Sequence, residues 1–299
     1  MVVVGDAASL EHLCRVPLDE SEYSLKPDER EFYQTITGIL DDIELKQHII
    51  RIQTDAYQIF PYPCIRGFML KVLRYPVYAH VLEYGRTNPD AIFLELACCF
   101  GNDARKAALD GYPVENIVAT DLRRDFWDLG FKLFKDDPTT WPVPFLEGDF
   151  LSQDFLDISA SKQEARPDLS HLNSLTDLVG QVSIIHASAF FHLFSEVDQR
   201  NIAERCVALL NGVSGATIFG SHVGGPEPGI YDHIGGANRK MFCHSPQSWE
   251  MLWKELFGGT AIRVVATLED KLKEATSPIM CQGPLAGERR SMVWSITVL

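Results

Sequence analysis

From residue 91 onward the chain alternates short apolar runs with segments of helical spacing, and no other feature limits its fold as tightly. The runs fall at 91–97, 116–120, 143–146, 182–187, 216–220, 261–268 and 292–298, with helical candidates at 103–109, 124–134, 172–179, 196–210 and 246–257. Runs of this length suit strands buried on both faces, and a helix between successive runs is the crossover that parallel strands need. The pattern predicts an α/β fold, a doubly wound, mostly parallel seven-stranded sheet. Residues 266–291 leave room only for a loop-rich turn, so the final strand is expected to return antiparallel.

Residues 27–86 read differently. Leu45, Ile49, Ile52, Ala56 and Ile59 recur at helical spacing until Pro61 and Pro63 break the run. Met69, Val72 and Leu73 begin another helical pattern, Pro76 interrupts it, and Val77, Val81 and Leu82 carry it to Gly85. The expected division is a helical cap or lid over 1–88 and a ligand-binding α/β unit over 89–299.

Composition narrows the function. Lys and Arg number 27 against 41 Asp and Glu, a formal charge of −14, which opposes nucleic-acid binding through phosphate neutralisation. The seven cysteines (14, 64, 98, 99, 206, 243, 281) form no CxxC pair and no metal-ligand spacing, so neither a disulfide framework nor a metal site is indicated. No apolar run reaches the roughly 18 residues that span a bilayer. The expectation is a soluble cytoplasmic protein acting on a small molecule, with self-association into a homodimer left open.

In an open α/β sheet the ligand sits at the carboxyl ends of the strands, where strand order reverses. The first such turn reads Glu95-Leu96-Ala97-Cys98-Cys99-Phe100-Gly101-Asn102-Asp103. A dinucleotide would ask for GxGxxG; Ala97 and Cys99 stand where that motif has glycine, which counts against an NAD(P)-dependent oxidoreductase. S-adenosylmethionine (SAM) carries no phosphate and needs only small residues and a few hydrogen bonds there. Asn102 and Asp103 are placed to cap the next helix, whose free N–H groups suit the ligand carboxylate. Asp121, twenty residues beyond Gly101, can take both ribose hydroxyls or serve as an N-cap near Arg124. Asp149 and Phe150 can meet the adenine amino group and ring, or simply form a turn. Glu95 can touch ligand or hold backbone, and Cys98 and Cys99 read as small packing residues.

These residues, with His186-Ala187-Ser188 on the fourth strand, resemble a class I SAM-dependent methyltransferase. Tyr62-Pro63-Cys64-Ile65, residues 95–101 and Ala119-Thr120-Asp121-Leu122 resemble more narrowly the small methyltransferases of fungal polyketide–terpenoid (meroterpenoid) clusters. The resemblance implies SAM as methyl donor, held by Glu95, Ala97, Gly101, Asp103, Asp121, Leu122, Asp149, Phe150, His186 and Ala187. It implies O-methylation of a polyketide or polyketide–terpenoid intermediate, a carboxylate becoming a methyl ester. The rival reading on the same fold is a protein that cyclises, isomerises or binds without methyl transfer. Methylation at amide or amino nitrogen is disfavoured, because Asn/Asp-Pro-Pro-aromatic is replaced by His186-Ala187-Ser188-Ala189-Phe190-Phe191.

Three histidines near strand ends, His186, His192 and His222, are the candidates for a catalytic base, each also readable as a polar-tipped wall residue. A carboxylate acceptor is already ionised and needs none; proximity and alignment would suffice. Tyr62, Arg66, Phe190, His222 and Arg239 are the candidates for acceptor binding, with Arg66, Arg239 and Lys240 supplying charge. Residues 222–244, rich in Gly and Pro, are expected to cover the acceptor together with the N-terminal helices.

Overall fold

The computed structural model describes residues 17–66, 70–162, 164–232, 240–269 and 289–299. Three helices lead: α1 (Pro27–Thr37), α2 (Asp42–Ile59) and α3 (Tyr78–Thr87). The α/β region follows as β1 (Ile92–Leu96), α4 (Asn102–Leu109), β2 (Ile117–Asp121), α5 (Arg124–Phe134), β3 (Phe145–Glu147), β4 (Val182–Ser188), α6 (Glu196–Leu209) and β5 (Thr217–Gly224). After it come β6 (Gly229–Asp232), β7 (Lys240–Cys243), α7 (Pro246–Phe257), β8 (Ile262–Glu269) and β9 (Arg290–Val298).

Seven strands form one sheet in the order β3-β2-β1-β4-β5-β9-β8. The first five are parallel, and β9 runs antiparallel to both β5 and β8, as the short return predicted. Strand order reverses between β1 and β4, which puts the ligand crevice above their carboxyl ends.

The alternation of side chains along each strand splits the core into two faces. On one face Ile92, Leu94, Ile185 and Ile218 meet Ile202 and Cys206 of α6 and Trp249 and Trp253 of α7. On the other, Phe93, Ile117, Ile184 and Phe219 meet Val81 of α3, Ala104 and Ala107 of α4 and Trp127 of α5. Phe126, Leu129 and Leu133 on the far side of α5 bury against Phe32, Tyr33, Leu45, Ile49 and Ile52, so α1 and α2 lie outside α5 as a further layer. Arg105 stitches these layers together. Its guanidinium pairs with Asp136 at 2.7 Å and lies over the rings of Phe134 and Trp141, the planar stacking that lets an arginine be buried.

Four expectations change. Only Leu175–Leu178 of the predicted 172–179 helix forms, as a single 3-10 turn; Ser174 caps it and Gly180 follows in a left-handed conformation. The helix expected from Met69, itself outside the described residues, reduces to a 3-10 turn at Val72–Arg74. Pro76 has no N–H to continue it, and α3 starts afresh at Tyr78. The strand expected over 216–220 runs on to Gly224 as β5, and β6 pairs antiparallel with β7 within 222–244, residues 233–239 lying outside the described residues. Asn102 and Asp103 do not cap α4, because both side chains are drawn to the N-terminal segment, as detailed below.

Gly220 shows how tightly β4 and β5 approach: a Cβ there would stand 2.0 Å from the carbonyl oxygen of Ala187. Neither backbone can yield without opening the ladder. Gly220→Ala is therefore expected to cost about 1–3 kcal/mol, read as a lower urea midpoint at unchanged slope; an unchanged midpoint contradicts this packing.

Candidate active site

The loop joining β1 to α4 carries three left-handed residues at every second position: Ala97 (φ 55°), Cys99 (φ 50°) and Gly101 (φ 72°). Left-handed backbone costs a residue with a Cβ roughly 1–2 kcal/mol. Hydrogen bonds hold the loop in this shape: Cys98 N–H donates to Thr120 O (3.1 Å), Cys99 N–H to Asp121 Oδ2 (2.9 Å) and Gly101 N–H to Cys98 O (2.8 Å). Glycine is required only at the third position, where a Cβ would lie 2.6 Å from the Trp127 ring and 2.8 Å from the Arg105 guanidinium. Ala97 and Cys99 thus keep the glycine-type path without glycine.

No side chain caps α4. Asn102 Nδ2 donates to the Tyr33 hydroxyl (3.0 Å), leaving Asn102 Oδ1 buried without a hydrogen-bond partner among the described residues. Asp103 Oδ1 accepts the N–H groups of Lys71 (2.8 Å) and Val72 (2.9 Å) and so fastens the segment before α3 to the start of α4. Arg74, a turn further on, pairs with Asp28 and Glu29 of α1.

Below the loop, Glu95 and His186 face each other on paired positions of β1 and β4. Glu95 Oε2 meets His186 Nδ1 at 2.8 Å, and His186 Nε2 meets Ser188 Oγ at 2.7 Å. Ser188 also hydrogen-bonds the Tyr75 hydroxyl, which reaches Ser221 Oγ at 2.9 Å. Burial lowers the His186 imidazole to about 4 and raises the carboxyls of Glu95, Asp103 and Asp121 above their ordinary range. Ligand atoms of Glu95, Asp103 and His186 lie within 4.8 Å of one another. Both His186 nitrogens are engaged, so it stands as a spoke of this relay, buried away from any acceptor.

The remaining cofactor candidates differ in exposure. Asp121 ends β2; besides Cys99 N–H, its carboxylate accepts Arg123 N–H at 3.0 Å, so it shapes both the loop and the start of α5. Leu122, the residue after β2, is 49% exposed. Asp149 Oδ1 accepts Leu151 N–H at 2.9 Å in a tight turn, while Phe150 is packed in the core edge-on to Phe190. Ala187 is fully buried on β4.

On the acceptor side, Tyr62 packs against Phe60 and Phe126, and Phe190 against Phe191 and Phe194. Arg66 is already ion-paired with Glu22 at 2.6 Å; its buried Nη1 has no hydrogen-bond partner among the described residues. Arg239 lies outside them. His192 sits in the 3-10 turn Phe191–Leu193 after β4, and His222 is buried on β5. Sequence reading missed Tyr75, Ser188 and Trp294. The two-residue spacing of His186 and Ser188 puts both on one strand face and was the available signal for the second; nothing local marked Tyr75 or Trp294.

The left-handed loop, the uncapped helix, the orphaned Asn102 carbonyl and the buried carboxyls suit a ligand that brings an ammonium, a sulfonium and a carboxylate. With the sheet order, they define the class of SAM-dependent methyltransferases. Residues 19–69 match the family model described as the meroterpenoid methyltransferase N-terminal domain. Over 221 residues the chain is 31% identical to the asnovolin E/chermesin D methyltransferase of Aspergillus novofumigatus, covering 71% of this chain and 70% of that one. An O-methyltransferase of Stereocaulon alpinum is 30% identical over 257 residues (83% and 68% covered). One from Fungal sp. (strain ATCC 74256) is 29% identical over 226 residues (74% and 69% covered). The chain belongs to the family of fungal meroterpenoid methyltransferases, enzymes of secondary metabolism whose methyl donor is SAM. Among the described residues no helix is long and apolar enough to cross a membrane.

The buried histidines give this region a pH signature. His244, 6% exposed at the start of α7, is held down to about 4 by burial. A depressed folded value means its contribution to stability is whole above the unfolded value of about 6.5 and is lost as pH falls toward the folded one. His244→Gln should flatten the fall of the unfolding free energy between pH 6.5 and 4, measured by urea titration; a slope equal to the parent's contradicts a buried neutral imidazole.

Proposed function

We propose that the chain methylates a carboxylate oxygen of a small hydrophobic polyketide or polyketide–terpenoid acid, giving a methyl ester. The observation that carries this reading is the β1–α4 loop, whose left-handed path is hydrogen-bonded to Asp121 through Cys99 N–H. Asp121 would take the ribose hydroxyls, Leu122 and Phe150 the adenine, and the first-turn N–H groups of α4 the amino-acid carboxylate. Glu95, Asp103 and the Asn102 carbonyl would face the positive end of the ligand. Ala97, Gly101, Asp149, His186 and Ala187 complete the cofactor wall.

SAM, when bound, supplies an electrophilic methyl group. The carboxylate oxygen forms the new bond as methyl–sulfur breaks with its electron pair leaving on sulfur, so an anion and a sulfonium become an ester and a thioether. No proton moves, which agrees with a His186 locked in its relay and needing no release. Catalysis then rests on alignment, and the aromatic surroundings of Tyr62 and Phe190 and the spare nitrogen of Arg66 serve to orient the acid. The N-terminal helices α1, α2 and α3 would cap the acceptor, with the β6–β7 hairpin beside it. A reducing cytoplasm suits the thiols of Cys98 and Cys99 in the cofactor loop.

SAM at roughly 100 times its Kd should raise the unfolding free energy by about 2.7 kcal/mol, seen as a thermal shift, and Asp121→Ala should remove most of that shift. A parent protein that SAM does not stabilise sinks the reading. With methyl-labelled SAM and a panel of hydrophobic acids, mild alkali should release the label as methanol; label retained in the product would move transfer to a phenol or carbon.

A further inference from the structure

His222 occupies the carboxyl rim of the sheet. It follows Ser221, whose paired residue Ser188 is the last of β4. It is 4% exposed, with the Trp249 ring 4.6 Å from its own and Phe191 and Trp294 close by. Trp294 is fixed on β9, where it pairs with Gly220 of β5.

The indole Nε1 of Trp294 donates a hydrogen bond to His222 Nδ1 at 2.8 Å. An indole nitrogen can only donate, so Nδ1 must be the unprotonated nitrogen of the ring. Burial, with His192 and His244 nearby, holds this imidazole well below its ordinary value, so at neutral pH it carries a single proton. That proton is on Nε2. Yet Nε2 is buried and has no hydrogen-bond partner among the described residues. A stranded buried donor costs about 1–3 kcal/mol, a cost that an arriving oxygen would remove.

We propose that His222 positions the acceptor by donating its Nε2–H to a carboxylate oxygen, with Trp294 selecting the ring tautomer that makes this possible. The inference rests on the methyl-transfer reading and deepens it. It turns a candidate base into a donor: the nitrogen without a partner already holds a proton, and the one with a lone pair is held by Trp294. It also sets specificity, since a hydrocarbon at this point would leave the N–H stranded among aromatic rings, whereas an acid satisfies it.

The tautomer is readable in the parent protein, with no acceptor and no cofactor, by long-range proton–nitrogen correlation of 15N-histidine-labelled enzyme at pH 7. Expected is a His222 ring protonated at Nε2 and bare at Nδ1; a ring protonated at Nδ1 overturns the proposal. Adding 1-naphthoate or 1-naphthamide should move the Nε2 proton downfield, whereas 1-methylnaphthalene should not. An Nε2 proton indifferent to the two oxygen-bearing probes, or held by a trapped water that neither displaces, also overturns it. In turnover of naphthoate, His222→Gln, which keeps an N–H donor, should stay within threefold of the parent in KM. His222→Leu should raise KM tenfold or more at unchanged SAM affinity. Equal effects of the two substitutions count against the donor role. Failure of the parent to bind SAM would instead fall on the methyl-transfer reading, with the tautomer result still standing.

Discussion

The crevice depends on one backbone constraint, the left-handed turn repeated at Ala97, Cys99 and Gly101. Two of these residues carry side chains that oppose the conformation, and each costs roughly 1–2 kcal/mol. The loop persists because its N–H groups are taken up by neighbours on β2, above all Cys99 N–H by the Asp121 carboxylate. That bond has two consequences. It ties the loop to the end of β2, and it fixes the Asp121 carboxylate between the loop and the start of α5. Strain of this kind persists where the surroundings over-determine it, and such places are commonly functional.

The acidic excess of the chain acquires a place here. Glu95 on β1 and Asp103 on α4 are buried, Asp121 at the end of β2 is half-buried, and desolvation disfavours their charged forms. Each is tied to backbone or to His186, so none is simply exposed to solvent. A cationic ligand is the natural complement of such a cluster. Asp103 does a second task by fastening residues 71 and 72, and Arg74 beyond them grips α1. The start of α4, the residues before α3, and α1 are therefore joined through Asp103 and Arg74. Arg66, which charge arithmetic nominated to attract an acidic acceptor, is largely spent on Glu22. The stranded Nε2–H of His222 takes on part of that recognition without a formal charge.

Much of the sheet was legible because it rests on local pattern. The helices at 124–134 and 246–257 begin and end where hydrophobic spacing put them, and the antiparallel return of β9 followed from the length of chain available. Elements that depend on tertiary partners were not legible. The segment at 172–179 has helical spacing but is claimed by turns around Ser174 and Gly180. The helix expected near Val72 is cut short by Pro76 and held by Asp103, thirty residues away in sequence. In the site, Glu95 and Asp121 stood out through motif position. Tyr75, which closes the relay on Ser188 and Ser221, and Trp294, which sets the His222 tautomer, sit in ordinary apolar surroundings and reach their partners only through folding.

All of this converges on where the donor lies, and a crystal structure with S-adenosylhomocysteine measures that directly. The account predicts both ribose hydroxyls on the Asp121 carboxylate, the homocysteine carboxylate on the first-turn N–H groups of α4, and the sulfur turned toward the rim that holds His222. A nucleoside bound away from Asp121, or a sulfur facing away from β4 and β5, would contradict it.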